Sequence, residues 1–125
     1  MYEEDEGQRH DDLVRSMLRS LRDGDCLRYE ADLPEAMRPK VFGGYRPDII
    51  LETLSGQVLV ELKIGARIFT DHTREELHAL LDGKSQSSKV VLVVPEDSFM
   101  ETAQVLETWG LNHLVWLATV DDWIP

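Results

Sequence analysis

The chain has 125 residues, 42% of them hydrophobic, with a formal net charge of −11 and a pI near 4.6. That length allows one domain with a real core, and no apolar run approaches the length needed to cross a bilayer. The only cysteine is Cys26, which excludes an internal disulfide, a four-cysteine zinc site and a cysteine-held iron–sulfur cluster. The acidic, polar start "MYEEDEGQRHDD" argues against a secretory signal, so the cytoplasm is the expected location.

Residues 1–7 read as a disordered acidic tail, and 8–125 as a single domain. In 8–22, Leu13, Met17, Leu18 and Leu21 fall at helical spacing, and Asp23-Gly24-Asp25 ends the helix. The stretch "CLRYEADL" alternates like a strand, and "PEAMRPKVFGGYRP" is a loop broken by prolines and glycines. Strands follow at about 47–53 and 57–64, around a Leu54-Ser55-Gly56 turn signal. Thr73 and Glu76 have the spacing of a capping box, opening a helix that carries Leu77, Leu80 and Leu81 and stops at Gly83. "KVVLVVP" is unbroken and apolar, as a strand buried on both faces should be. Ser98 and Glu101 form a second capping box, for a helix ending at Gly110, and "HLVWLATV" is the last strand. The order α-β-β-β-α-β-α-β predicts an α/β fold, a mixed central sheet flanked by helices.

Within the apolar stretch "RPDIILETLSGQVLVELKIG", Asp48, Glu61 and Lys63 stand out. A hairpin with Ser55 and Gly56 at its tip sets Asp48 opposite Lys63 and Ile50 opposite Glu61. Side chains alternate along a strand, so Asp48, Glu61 and Lys63 share one face at the end away from the turn. The Asp48–Glu61 diagonal is then roughly 7–8 Å between Cα atoms. A four-residue loop keeps this register, and a three-residue loop turns Asp48 to the other face. Two carboxylates and a backbone carbonyl make a hard-oxygen site suited to Mg²⁺ or Mn²⁺. A neighbouring lysine can orient a water or neutralise charge developing in the transition state.

Pro47-Asp48 followed by Glu61-Leu62-Lys63 resembles the motif of the PD-(D/E)XK nuclease superfamily, which includes type II restriction enzymes and archaeal Holliday-junction resolvases. The resemblance is specific over residues 45–65 and extends, as element order, to most of the chain. It implies a restriction endonuclease-like αβββαβ core and hydrolysis of phosphodiester bonds. It also implies that Asp48, Glu61 and the Leu62 carbonyl ligate Mg²⁺ (or Mn²⁺) and that Lys63 assists the attacking water. This superfamily often adds an acidic residue from its first helix. Asp11 and Asp12 are the candidates here, with Glu30 on the next strand as another, and none matches the pattern clearly.

Arg46 and Lys40, with Tyr45 and the paired glycines, form a candidate phosphate-contacting loop; Gly43-Gly44 turning the chain explains them equally well. Gln86 and Lys89 are weaker candidates for nucleic-acid contact, with strand-edge solvation as the simpler account. His72 could approach a phosphate, though a loop residue beside a helix cap is the simpler account, and Glu52 is a surface charge near the turn. His10, His78 and His113 are too scattered for a zinc site, and Trp109, Trp116 and Trp123 read as core or interface.

The charge is awkward for a nucleic-acid partner, which is normally met by a basic patch. Residues 1–12 hold six acids and one arginine, a net of −5, and the remainder eighteen acids and twelve bases, a net of −6. Four lysines against nine arginines, in so acidic a chain, suggest adaptation to high salt. Unfolding followed against KCl tests this: stability should rise into molar salt, and indifference to salt removes the idea. Three functions remain open. The first is a metal-dependent nuclease acting on DNA ahead of RNA, as a homodimer. The second is a catalytically inactive protein of the same fold, acting as an interaction subunit with a protein partner. The third is an unrelated small α/β domain.

Overall fold

In the computed structural model, which describes residues 2–125 and side chains from Glu6 onward, the elements run α1 (Tyr2–Arg19), β1 (Arg28–Ala31), β2 (Ile49–Thr53), β3 (Gly56–Leu62), α2 (Asp71–Gly83), β4 (Lys89–Val94), α3 (Phe99–Thr108) and β5 (Val115–Thr119). Short 3₁₀ turns at Gly65–Phe69 and Glu96–Ser98 precede α2 and α3. The strands form one mixed sheet in chain order, antiparallel from β1 to β3 and parallel from β3 to β5. This is the element order expected of the sequence. Among the described residues, no helix is long and apolar enough to cross a membrane.

Helices cover both faces, which is why β4 carries no polar alternation. Val91 and Val93 join Ile49, Leu51, Val60 and Leu62 against Val14 and Met17 of α1, with Trp123 closing that layer. Val90, Leu92 and Val94 join Ile50 and Leu59 against Leu77 and Leu80 of α2 and Leu106 of α3. Burial of each such side chain contributes about 1.5–3 kcal/mol. The Trp123 indole N–H donates to Ser20 Oγ at 3.2 Å, tying the end of the chain to the end of α1.

The hairpin register differs from the expected one by two residues. The turn is Leu54-Ser55, Thr53 pairs with Gly56, and Ile50 pairs with Leu59 rather than Glu61. Gly56 belongs to the strand because its φ of +138° supplies the conformation that the turn residues themselves avoid. Thr53 Oγ1 donates to the Gly56 carbonyl at 2.6 Å and fastens the turn. A two-residue slip preserves side-chain parity, so Asp48, Glu61 and Lys63 keep their common face. Continued one step beyond β2, the register sets Asp48 opposite Glu61, where Lys63 had been expected.

Gly56 is also a packing requirement: a Cβ there would lie 2.4 Å from the Ser87 carbonyl oxygen. Gly56→Ala should destabilise the fold by at least about 2 kcal/mol, from backbone strain and overpacking together. Urea denaturation reads this directly, and an unchanged midpoint would refute it.

The helix starts differ too. The backbone is helical from Tyr2, within the stretch read as a disordered tail, and α1 ends at Arg19 rather than Arg22. Polar residues without apolar periodicity give no signal for where a helix starts, yet Glu and Gln are good helix formers; Gln8 bonds to Asp12 one turn on. In α2 the N-cap is Thr70, whose hydroxyl accepts from the Thr73 N–H, so Thr73–Glu76 is not the capping box. Ser98 holds the N-cap position of α3 without a side-chain cap bond. That helix closes as expected, with Gly110 at φ +73° and the Leu111 N–H bonded to the Leu106 carbonyl.

Candidate active site

Asp48, Glu61 and Lys63 meet in a cleft of about 460 Å³ at the C-terminal end of β3, walled by the N-terminal half of α1, the 44–46 loop and α2. Asp48 is fixed by its own backbone: its N–H donates to the Val60 carbonyl at 3.0 Å, and its carbonyl accepts from the Asp32 N–H at 2.9 Å. Its Oδ2 accepts from the Leu62 N–H at 2.7 Å. His10 enters from α1, with Nε2 at 3.3 Å from Asp48 Oδ2 and 3.0 Å from the Leu62 carbonyl oxygen.

Glu61 is 3% exposed. Its carboxyl group is crowded by those of Asp48 and Glu76, and no donor among the described residues reaches its buried Oε2. Beyond it, Lys63 Nζ donates to Glu76 Oε1 at 2.9 Å, and His72 Nε2 lies 2.6 Å from the same oxygen. The groups form a row: His10, Asp48, Glu61, Glu76, then Lys63 and His72 together.

The row divides its charge unevenly. Burial, then the charge of Asp48 and contact with Glu76, push the Glu61 carboxyl well above the ordinary range. Burial also works against ionised Asp48, but bonds from His10, Glu61 and the Leu62 N–H outweigh it and hold Asp48 below its usual value. Glu76 is likewise lowered: burial opposes ionisation, and Glu61, Lys63 and His72 overcome it. His10 is raised to about 9, because its bond to Asp48 and that carboxylate's charge exceed the effect of burial. Glu61 therefore carries the shared proton of three crowded carboxylates.

Comparison with protein-family models, with curated proteins and with solved structures finds no match.

The other sequence candidates separate sharply. Arg46 lines the cleft with Asp11, Asp32 and Arg67. Lys40 lies outside it, with Nζ 4.9 Å from the centre of the Phe42 ring. Gln86 is exposed at the opposite end of the sheet: β4 runs parallel to β3, Lys89 pairs with Val58, and Ser87 packs on Gly56. A residue just before β4 therefore cannot reach the C-terminal end of β3. Of the three proposed extra acids, Asp11 lines the cleft, and the other two take no part. Asp12 pairs with Arg15 at 3.1 Å on the outside of α1, and Glu30 sits on edge strand β1 opposite Ile50, away from the cleft lining. Glu52 bonds Gln57 near the turn, as expected of a surface charge. Trp123 is core, while Trp116 is half exposed beneath Lys89.

Arg67 gave no signal in the sequence, and His72, 2.6 Å from Glu76, lies in α2 rather than in a loop; His10 and Glu76 did leave a signal. His10 lies one turn before Val14 and two before Met17, so the apolar stripe of α1, extended backward, carries it inward. Glu76 shares the buried face of α2 with Thr73, Leu77 and Leu80, but its apparent role in a capping box concealed this.

Among the described residues, no group of three or more His, Cys, Asp or Glu side chains is arranged to hold a metal ion. The donors considered for a divalent cation are fewer: two carboxylates and the Leu62 carbonyl, a set that water completes in Mg²⁺ sites. One feature of the cleft fits such a cation: no donor among the described residues reaches the buried Glu61 Oε2.

Proposed function

We propose that this protein is a metal-dependent nuclease of the PD-(D/E)XK type, hydrolysing phosphodiester bonds, with DNA as the first substrate to test. The observation that carries this reading is the convergence of Asp48, Glu61 and Lys63 in one cleft, with Glu61 Oε2 buried and unpartnered. The element order, and a sheet whose first three strands are antiparallel and whose later strands run parallel, suit the αβββαβ core of that superfamily.

A divalent cation held by Asp48, Glu61 and the Leu62 carbonyl would polarise the phosphoryl oxygen and acidify a water. The chain's own residues do the rest. The Leu62 N–H locks the Asp48 carboxylate in place. Lys63, swung from Glu76, orients the attacking water and offsets charge developing on the phosphoryl oxygens. Arg46 and Arg67 hold the flanking phosphate at the cleft mouth. A homodimer would supply two such sites and a broader binding surface than one small domain.

A second reading has its own support. Lys63 is already ion-paired, in a contact where its side chain is 15% and that of Glu76 8% exposed, and the net charge of −11 disfavours phosphate binding. Those features suit an inactive interaction subunit that presents its acidic surface to a protein partner. An assay with Mg²⁺ or Mn²⁺ on single-stranded, duplex and branched DNA and on RNA, at low and high KCl, decides between them. Metal-dependent cleavage is expected; folded protein that cleaves none of these favours the interaction subunit.

A further inference from the structure

We infer that the substrate of this site is a single strand, and that Tyr45 is the platform on which one of its unpaired bases stacks. The inference rests on the nuclease reading above and names the class of nucleic acid that the cleft takes. Tyr45 lines the cleft beside Arg46, on a loop that the fold holds fast. Phe42 and Tyr45 exchange backbone hydrogen bonds of 2.7 and 3.0 Å around Gly43-Gly44, whose φ values of +57° and +89° are those of a tight hairpin turn. Phe42 is buried, and the turn packs so closely on α2 that a Cβ at Gly43 would lie 3.1 Å from that of Ala79. The half-buried Tyr45 ring is itself braced by α2. His72 meets it in a T-shaped pair with ring centres 5.4 Å apart, and its hydroxyl donates to Glu75 Oε2 at 3.3 Å. An aromatic ring is thus set rigidly in the cleft wall, next to an arginine assigned to phosphate.

Size and charge favour a single strand over a duplex. The cleft holds about 460 Å³, the scale of one small ligand, so it admits a nucleotide rather than the width of a double helix. Glu61, which lines it, is buried, and only a strand that enters between the walls comes near that carboxyl group. The net charge of −11 denies the chain the extended basic track with which proteins follow a duplex backbone. Stacking needs no such track, because every base has a π-face and the contact neutralises no phosphate. Arg46 and Arg67 then set a phosphate, and Tyr45 the base beside it, within one cleft.

The test is binding of short single-stranded DNA oligonucleotides carrying 2-aminopurine at successive positions, beside the same sequences as blunt duplexes. It is made with the full chain at low salt, with Ca²⁺, a larger oxygen-binding cation, standing in for Mg²⁺ to hold back cleavage. Anisotropy of an end label gives the affinity, and 2-aminopurine fluorescence reports stacking. Wild type should bind the single strand at least about tenfold tighter than the duplex and quench 2-aminopurine at one position. Tyr45→Leu should lose that quench and bind the single strand about 5- to 150-fold more weakly, the range for removing one base–aromatic stack. Tyr45→Phe, which keeps the ring and gives up only the bond to Glu75, should retain both. A duplex bound as tightly as the single strand, or a Tyr45→Leu protein with wild-type affinity and quench, overturns the inference and leaves the nuclease reading standing. Folded wild type that binds neither form overturns the nuclease reading on DNA, and this inference with it. Should Tyr45→Leu fail to fold, Tyr45→Trp decides: its larger ring should deepen the quench and tighten single-strand binding, and no change in either overturns the platform.

Discussion

Lys63→Ala should lose metal-dependent cleavage by about 10²–10⁴-fold, the range for removing one group that acts on the transition state, while Mn²⁺ binding stays close to wild type. The two readouts separate because Lys63 acts on the water and the phosphoryl charge, whereas the cation is held by Asp48, Glu61 and the Leu62 carbonyl. The substitution also takes from the half-buried Glu76 carboxylate its lysine partner, so some loss of stability accompanies it. Circular dichroism and a thermal melt on the same samples distinguish a folded, inactive variant from an unfolded one. A folded Lys63→Ala protein that cleaves at the wild-type rate would exclude the proposed mechanism.

Glu61→Gln should do two opposite things: abolish tight Mn²⁺ binding and stabilise the metal-free protein by about 1–2 kcal/mol near neutral pH, a size usual when a functional site is relieved of strain. Glutamine keeps the shape and can both donate and accept, but it brings no charge beside Asp48 and Glu76. The pH dependence has a definite sign. The folded protein holds Glu61 above its ordinary value of 4.5, chiefly through burial and then the charge of Asp48. Stability from a raised group is complete below the unfolded value and is lost as pH rises through the folded one. The advantage of Glu61→Gln should therefore be absent in acid, open above about pH 4.5 and grow toward alkaline pH. Melts at several pH values in chelator would show this divergence; parallel curves would mean that Glu61 bears no such conflict.

Much of this was legible in the sequence because alternation and burial act locally. The apolar run at 90–94 reads as an interior strand, and parity alone kept Asp48, Glu61 and Lys63 on one face even with the register two residues out. What parity cannot see is the tip of a turn, and that depended on Gly56 meeting Ser87, a contact between distant segments. Gln86 was misplaced for a related reason: which end of β4 lies near the site depends on β3 and β4 running parallel. Glu76 and His10 illustrate the other limit. A glutamate three residues after a threonine has the cap spacing whichever threonine is the cap, and a histidine beyond the last leucine of a stripe looks like the end of the stripe. Only the packed sheet shows that both point inward.

The hairpin that joins Asp48 to Glu61 bears on cooperativity. These carboxylates are brought together by a two-residue turn, so their contact costs little chain entropy and forms wherever the hairpin forms. The group that relieves Asp48 comes from far off: His10 reaches the Leu62 carbonyl across 52 residues of sequence. The crowding of carboxyl groups is thus local and the counter-charge to Asp48 long-range. If α1 lifted away alone, the sheet would keep the crowding and lose the counter-charge, together with the cover over Val60 and Leu62. The charges in the cleft therefore penalise partial opening of this layer and bind the first helix to the sheet in a single transition.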